Sequence, residues 1–143
     1  MIDFPSEDGP MYRWPKVEAV EGASRLLHEL SRVASCHVAT NAVTSSETDI
    51  RKALARVQID EYITSIFCFQ NIGFKKPSKA FFSNILAVLK AEKNEIVMVG
   101  DNLEKDVYGA LDFGLDAIWF NTGKRKTPKG IISVECLLQI INS

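Results

Sequence analysis

Hydrophobic residues along this chain alternate between two spacings, one typical of helices and one typical of strands. Apolar residues three and four positions apart predict helices at about 17–33, from about Thr44, beyond Pro77 and from about Leu103. Short apolar runs between them predict buried strands, namely CHVAT, SIFCFQ, EIVMVG and AIWFN. A shorter strand at Ile131–Ile132 and a closing helix near Leu137 follow. Because strands and helices alternate, we expect a mostly parallel sheet in an α/β fold with helices on both faces.

Single residues predict where the elements begin and end. Thr44 and Glu47 form a capping-box pattern, which predicts the start of the second helix. Gly114 predicts the end of the fourth helix, because glycine readily adopts the left-handed conformation found there. The basic turn TGKRKTPKG has no interleaved aromatic residues, so we expect a mobile, solvated loop rather than a nucleic-acid surface.

The composition is that of an ordinary globular protein. With 143 residues, 46% of them hydrophobic, the chain can bury the core of one domain, whose residues 1–14 are atypical. Seventeen basic and eighteen acidic residues leave a net charge of −1, which excludes strong global attraction to nucleic acid or an anionic membrane. We find no signal peptide and no membrane-spanning run, and the three cysteines have no paired spacing, so we expect a cytoplasmic protein with buried thiols.

Polar residues follow three of the predicted strands at the point where each strand ends. Thr40 and Asn41 follow the first strand, a loop with Lys76 follows the second, and Asp101 follows the third. We expect these strand ends to share one edge of a single sheet, where α/β proteins bind their ligands. Asp106 lies about one helical turn beyond Asp101 and can face the same edge. A hydroxyl, an amide, an ammonium group and two carboxylates there predict a site for a phosphate group and Mg²⁺.

The segments CHVATN, GFKKP and VMVGDNLEKDVYGA resemble, in this order, motifs II, III and IV of the haloacid dehalogenase-like (HAD) hydrolases. The likeness covers roughly residues 15–142 and implies a Rossmann-like three-layer sandwich and a Mg²⁺-dependent phosphatase of a small phosphorylated substrate. On this resemblance Thr40, with Asn41 beside it, would bind the transferred phosphoryl group. Lys76 would steady the charge of nucleophile and phosphate, Asp101 would bind Mg²⁺, and Asp106 would support the metal or the lysine.

The chain departs from the family at the motif that carries the nucleophile. Family members attack phosphate with the first aspartate of D-x-D-G-[TV] after an apolar strand, and this sequence has no such element. The nearest stretch is IDFPSEDGP, in which Ser6, Asp8 or Asp3 would stand in for the motif. The place of the first strand would have to be filled by residues 1–6, a partner chain, a second copy of this chain or a rearranged strand order. Between Asn41 and Lys76 there is no room for a cap domain.

Three hypotheses follow. The first is an active phosphatase that uses Asp3, Asp8 or a donated aspartate. The second is a catalytically silent or truncated domain that binds phosphate, metal or a protein partner. The third, a response-regulator or nucleotide-binding sheet, is disfavoured because the sequence has no acidic cluster after a first strand and no glycine-rich fingerprint. Without a recognisable nucleophile, we expect hydrolysis of generic phosphomonoesters to be very slow or absent.

Overall fold

The structure is a computed structural model that describes residues 20–141. These residues belong to two compact units, the first comprising residues 20–73 with 140–141 and the second Phe74–Gln139. The candidate nucleophiles Asp3, Ser6 and Asp8, and the beginning of the predicted first helix, lie outside the described residues. In the part of the chain that the structure describes, no helix has the length and apolar character needed to cross a bilayer.

The described residues of the first unit form two parallel strands and three α-helices. In chain order these are α1 (Ala23–Leu30), β1 (Cys36–Ala39), α2 (Glu47–Arg56), β2 (Ile63–Phe67) and the short α3 (Phe69–Ile72). β1 and β2 pair in parallel, and Thr40 extends the ladder by donating its N–H to the Phe67 carbonyl at 2.9 Å. The buried cluster of this unit consists of Ile50, Leu54, Ile59, Ile63, Ile66 and Cys68.

Two element boundaries in this unit differ from the sequence prediction. The cap of α2 is Ser46, whose hydroxyl accepts from the Asp49 N–H at 3.1 Å while the Asp49 carboxylate accepts from the Ser46 N–H at 3.0 Å. Thr44 and Glu47 match the same general pattern but are not the residues used. The second strand ends at Phe67 rather than Gln70, because Asn71 accepts from the Cys68 N–H at 2.9 Å and thereby starts α3.

The second unit holds three parallel strands. Its elements are α4 (Lys79–Leu89), β3 (Val97–Gly100), a π-helical turn (Leu103–Tyr108), α5 (Gly109–Phe113), β4 (Asp116–Phe120) and β5 (Ser133–Val134). The strand order is β3-β4-β5, and a 3₁₀ turn at Leu137–Ile140 follows. α4 buries Phe81, Phe82 and Ile85, and α5 ends as predicted at Gly114, whose φ is 107°. The last strand lies two residues beyond the predicted position.

The strands pair in parallel as predicted, but the prediction of one continuous sheet is wrong for the described residues. Their strands form two sheets, one of β1 and β2 and one of β3, β4 and β5. β3 was also expected to be fully buried, yet Val97 is 53% and Val99 is 36% exposed. β3 pairs only with β4 among the described strands, and hydrophobic periodicity cannot show whether a strand has neighbours on both sides.

Candidate functional site

A buried ion pair joins two of the residues that the sequence analysis selected. The Lys76 ammonium nitrogen lies 2.6 Å from Oδ1 of Asp106, and the two side chains are only 10% and 7% exposed. Lys76 lies in the loop before α4, whereas Asp106 lies in the π-helical turn after β3. In a partly buried setting such a short, charge-assisted pair fixes the position of the lysine side chain. The structure therefore holds a cationic group beside the carboxyl end of β3.

The second oxygen of Asp106 is also engaged. Its Oδ2 accepts from the Asn102 backbone N–H at 3.1 Å. Gly100 makes this approach possible, because a Cβ built on that residue would overlap the Asp106 carboxylate. The Asn102 side chain accepts from the Lys105 N–H at 2.9 Å and caps the turn. The segment GDN therefore allows the end of β3 and the Asp106 carboxylate to approach each other closely.

The loop that carries Lys76 is placed by close packing on α5. A Cβ built on Gly109 would lie 2.7 Å from the Pro77 Cβ, so only glycine leaves room for the loop at this distance. The Lys76–Pro77 peptide bond is cis. The signal for Gly109 in the sequence is a glycine within an otherwise helical segment, which often marks a close approach of another backbone.

Asp101 lies directly after β3 and is exposed. Its backbone carbonyl accepts from the indole Nε1 of Trp119 at 3.0 Å, and Trp119 itself is only 1% exposed. An open cleft of about 290 Å³ surrounds this strand end, and it is lined by Asp101, Asn102, Leu103, Glu104 and Arg125. The Asp101 carboxylate therefore lies at an open cleft, and its backbone is held by a buried tryptophan.

Thr40 and Asn41 lie in the first unit, directly after β1. The Thr40 hydroxyl accepts from the Ala42 N–H at 3.1 Å, which leaves its own proton for another acceptor. Both residues are partly buried. Their convergence with Lys76 and Asp101 stays a prediction.

Among residues 20–141, no group of three or more His, Cys, Asp or Glu side chains could hold a metal ion. Both histidines lie in the first unit. His37 belongs to β1, as the sequence predicted, and burial lowers the pKa of its imidazole. Burial likewise raises the pKa of the neighbouring Cys36 thiol.

Sequence reasoning missed three contributors to this site. Asn102 and Gly109 were read only as parts of a motif, although the structure gives each a definite contact. Arg125 was assigned to a solvated basic turn, but it lines the cleft beside Asp101. Nothing in the sequence separates Arg125 from the other positive charges of the turn, since its position depends on a buried tryptophan in the preceding strand.

Known proteins resemble this chain in sequence. The family model of haloacid dehalogenase-like hydrolases matches residues 11–120. A glyceraldehyde 3-phosphate phosphatase of Pyrococcus abyssi is 34% identical over 71 residues, which cover 50% of this chain and 30% of that protein. A ribulose-1,5-bisphosphate 5-phosphatase of Halopiger xanaduensis is 30% identical over 107 residues, which cover 74% of this chain and 44% of that protein. The chain spans less than half the length of these curated relatives.

Solved structures share the fold. An uncharacterized protein from Listeria monocytogenes serotype 4b superimposes with a TM-score of 0.82 at 25% identity, over 93% of this chain and 83% of that one. The putative HAD-hydrolase YfnB from Bacillus subtilis, bound to magnesium, gives a TM-score of 0.76 at 24% identity, over 86% of this chain and 54% of that one. These likenesses confirm the predicted α/β, Rossmann-like fold. Since the family model also matches most of its length, the chain belongs to the haloacid dehalogenase-like hydrolases.

Proposed function

We propose that this chain binds a small phosphomonoester together with Mg²⁺ and hydrolyses it. The observation that carries the proposal is the buried Lys76–Asp106 pair beside Asp101, at the end of a strand in a parallel sheet. Ligands of α/β proteins collect at such strand ends. Relatives named as phosphatases of glyceraldehyde 3-phosphate and ribulose 1,5-bisphosphate support a small phosphorylated substrate.

The donor set at this strand end fits Mg²⁺. Mg²⁺ commonly binds through one or two protein carboxylates, with waters and substrate phosphate oxygens completing its coordination. Asp101 offers an exposed carboxylate of this kind. Both oxygens of Asp106 are occupied by Lys76 and the Asn102 N–H, so we assign Asp106 to holding the lysine rather than to direct metal binding. The metal would supply positive charge that neutralises the phosphate.

The chain's own residues then take three roles. Lys76, oriented by Asp106, provides a fixed positive charge for the phosphoryl oxygens. Thr40 and Asn41 would donate hydrogen bonds to the same group. The attacking oxygen would come from Asp3 or Asp8, with Ser6 as a further candidate, and a carboxylate in this role forms a covalent phosphoryl intermediate that water then cleaves.

A second candidate function is binding without turnover. The sequence has no apolar strand followed by D-x-D-G-[TV], and a site that holds phosphate and metal without a positioned nucleophile would bind but not hydrolyse. Such a domain would still need Lys76 and Asp101. The two functions therefore differ in phosphate release and not in ligand binding.

The test measures inorganic phosphate released by the purified chain from a panel of sugar phosphates and nucleotides, with Mg²⁺ or with EDTA. We expect slow release that requires Mg²⁺ and falls about 100-fold or more in Asp101→Asn, since one anionic ligand of the metal is lost. Asp112→Asn is the matched control, because Asp112 is an exposed carboxylate on α5 that does not line the cleft. Loss of activity in Asp3→Asn or Asp8→Asn would identify the nucleophile.

Two results would contradict the proposal. Phosphate release that is indifferent to EDTA and to Asp101→Asn would show that another site or a contaminant acts. Mg²⁺ and phosphate binding without any release across the panel would favour the silent domain instead.

A further inference from the structure

Arg125 lies where a substrate could meet it. It lines the same cleft as Asp101, the residue to which we assign the metal, although the two are 24 positions apart in the sequence. The open cleft measures about 290 Å³, just below the range of about 300–1,000 Å³ typical of small-molecule sites, which favours a small ligand.

The turn that carries Arg125 is held by specific hydrogen bonds. The buried Asn121 side chain accepts from the Arg125 N–H at 3.0 Å and donates to the Arg125 carbonyl at 2.6 Å. A further bond of 2.8 Å joins the hydroxyls of Thr127 and Ser133. The two Asn121 contacts involve only the backbone of Arg125, so a change of the Arg125 side chain leaves all three bonds in place.

The guanidinium group has a defined support as well. Its Cζ lies 5.0 Å from the centre of the Trp119 ring, a distance typical of cation–π contacts. Trp119 also donates its indole N–H to the Asp101 carbonyl. One buried ring therefore sets the positions of both Asp101 and Arg125.

No carboxylate among the described residues forms a salt bridge with Arg125. Glu104 lines the same cleft but lies outside ion-pair distance. A guanidinium group that lacks an anionic partner can bind a planar carboxylate or a phosphate through two parallel hydrogen bonds. Its contact with the Trp119 ring distinguishes Arg125 from its neighbours Lys124 and Lys126, for which the structure shows no such contact.

We propose that Arg125 recognises a second anionic group of the substrate, so that this chain prefers small phosphomonoesters that also carry a carboxylate or a second phosphate. The inference rests on the proposed function, because it takes the first phosphate to be held by Lys76 and the metal at Asp101. Glu104 sharpens the preference for a ligand whose anion reaches Arg125, since a misplaced anion would meet a like charge.

The test compares three ligands with one carbon skeleton, namely glycerol 3-phosphate, 3-phosphoglycerate and glycerol 1,3-bisphosphate. Their dissociation constants are measured calorimetrically with Mg²⁺ present, so the result does not depend on turnover. We expect at least one of the two doubly anionic ligands to bind about five- to tenfold more tightly than glycerol 3-phosphate, the scale of one charge-assisted hydrogen bond at a partly exposed site. Tighter binding of 3-phosphoglycerate would indicate that Arg125 recognises a carboxylate, and tighter binding of glycerol 1,3-bisphosphate would indicate a second phosphate.

Arg125→Gln should abolish this preference, because it weakens binding of the doubly anionic ligands by a larger factor than binding of glycerol 3-phosphate. Arg125→Lys should retain part of the preference, because it keeps the charge and loses the planar fork. Lys126→Gln is the matched control, since it removes an exposed positive charge from the same turn and should keep the full preference. A merely structural role for Arg125 would change all three ligands equally.

The outcomes separate this inference from the proposed function. If glycerol 3-phosphate binds in a manner that depends on Asp101 but Arg125→Gln changes no ligand selectively, the inference is wrong and the proposed function stands. If none of the three ligands binds, the inference is wrong, and phosphate release from the panel of sugar phosphates and nucleotides decides the proposed function.

Discussion

Asp106 shows how one side chain can organise a site. One of its oxygens holds Lys76 and the other holds the backbone of Asn102, so both a cation and a strand end depend on it. Such an arrangement is costly to disrupt, because removal of either charge leaves the other buried without its partner. Stability and function therefore depend on the same pair.

Asp106→Asn is expected to lower the free energy of unfolding by about 3 kcal/mol, since it leaves the Lys76 ammonium buried beside a neutral group. Urea unfolding would measure the change. Lys79→Met is the control, because Lys79 is exposed and should change stability by less than about 0.5 kcal/mol. The double variant Lys76→Met with Asp106→Leu should recover part of the loss, and a double variant less stable than Asp106→Asn would contradict the argument.

His37 gives a pH-dependent prediction. Its Nδ1 is buried with no hydrogen-bond partner among the described residues, and burial lowers the pKa of the ring below its usual value of 6.5. The unfolded chain therefore binds a proton at His37 more readily than the folded chain does. The stability that neutral His37 contributes is fully present above the unfolded pKa and is lost as the pH falls below that value. We expect His37→Gln to lose less unfolding free energy than the wild type between about pH 7.5 and about pH 5.5. Equal losses in urea titrations would contradict this.

At the scale of elements, α2 shows both the strength and the limit of sequence patterns. Its inner face, including Ile50 and Leu54, followed from helical spacing and is buried as predicted. Its start was misplaced by two residues, because Thr44 with Glu47 and Ser46 with Asp49 both satisfy the capping pattern. Only the folded backbone decides between two such candidates.

Substitution of Ser46 and of Thr44 tests which of these two candidate residues caps α2. Ser46→Ala should lower the unfolding free energy by about 1 kcal/mol, since the Asp49 N–H loses its acceptor, while Thr44→Ala should have little effect. Thermal or urea unfolding of the two variants side by side provides the measurement. A larger loss for Thr44→Ala than for Ser46→Ala would show that the predicted cap is the one used.

The same reasoning applies to the candidate site. Lys76 and Asp106 could be selected in advance, because the residues after parallel strands collect at one edge and Asp106 follows at helical spacing. The exposure of β3 and the placement of Arg125 could not be predicted from the sequence, because each depends on a neighbour elsewhere in the chain. For Val97 this neighbour is a flanking strand, and for Arg125 it is a buried ring. Sequence patterns therefore predict local structure well, but they predict contacts between residues far apart in the sequence poorly.

For the whole molecule, binding and stability are linked by mass action. If Asp101 holds Mg²⁺ in the folded chain alone, the metal at ten times its dissociation constant should stabilise the protein by about 1.4 kcal/mol. Thermal unfolding with and without Mg²⁺ measures this. The melting temperature should rise in the wild type and in Asp112→Asn but not in Asp101→Asn, and equal rises in all three proteins would place the metal elsewhere.

The Lys76–Asp106 pair closes a loop of 30 positions. Closing a loop of this size costs configurational entropy before the contact forms. The enclosed segment contains α4 and β3, so the lysine is held only in those molecules where both elements are folded. Each transient opening of the segment releases the ammonium group of Lys76. The fraction of molecules with the ion pair formed therefore equals the fraction in which this segment is folded. A ligand that needs the held lysine would therefore slow amide hydrogen exchange throughout α4 and β3, including at atoms that it never touches.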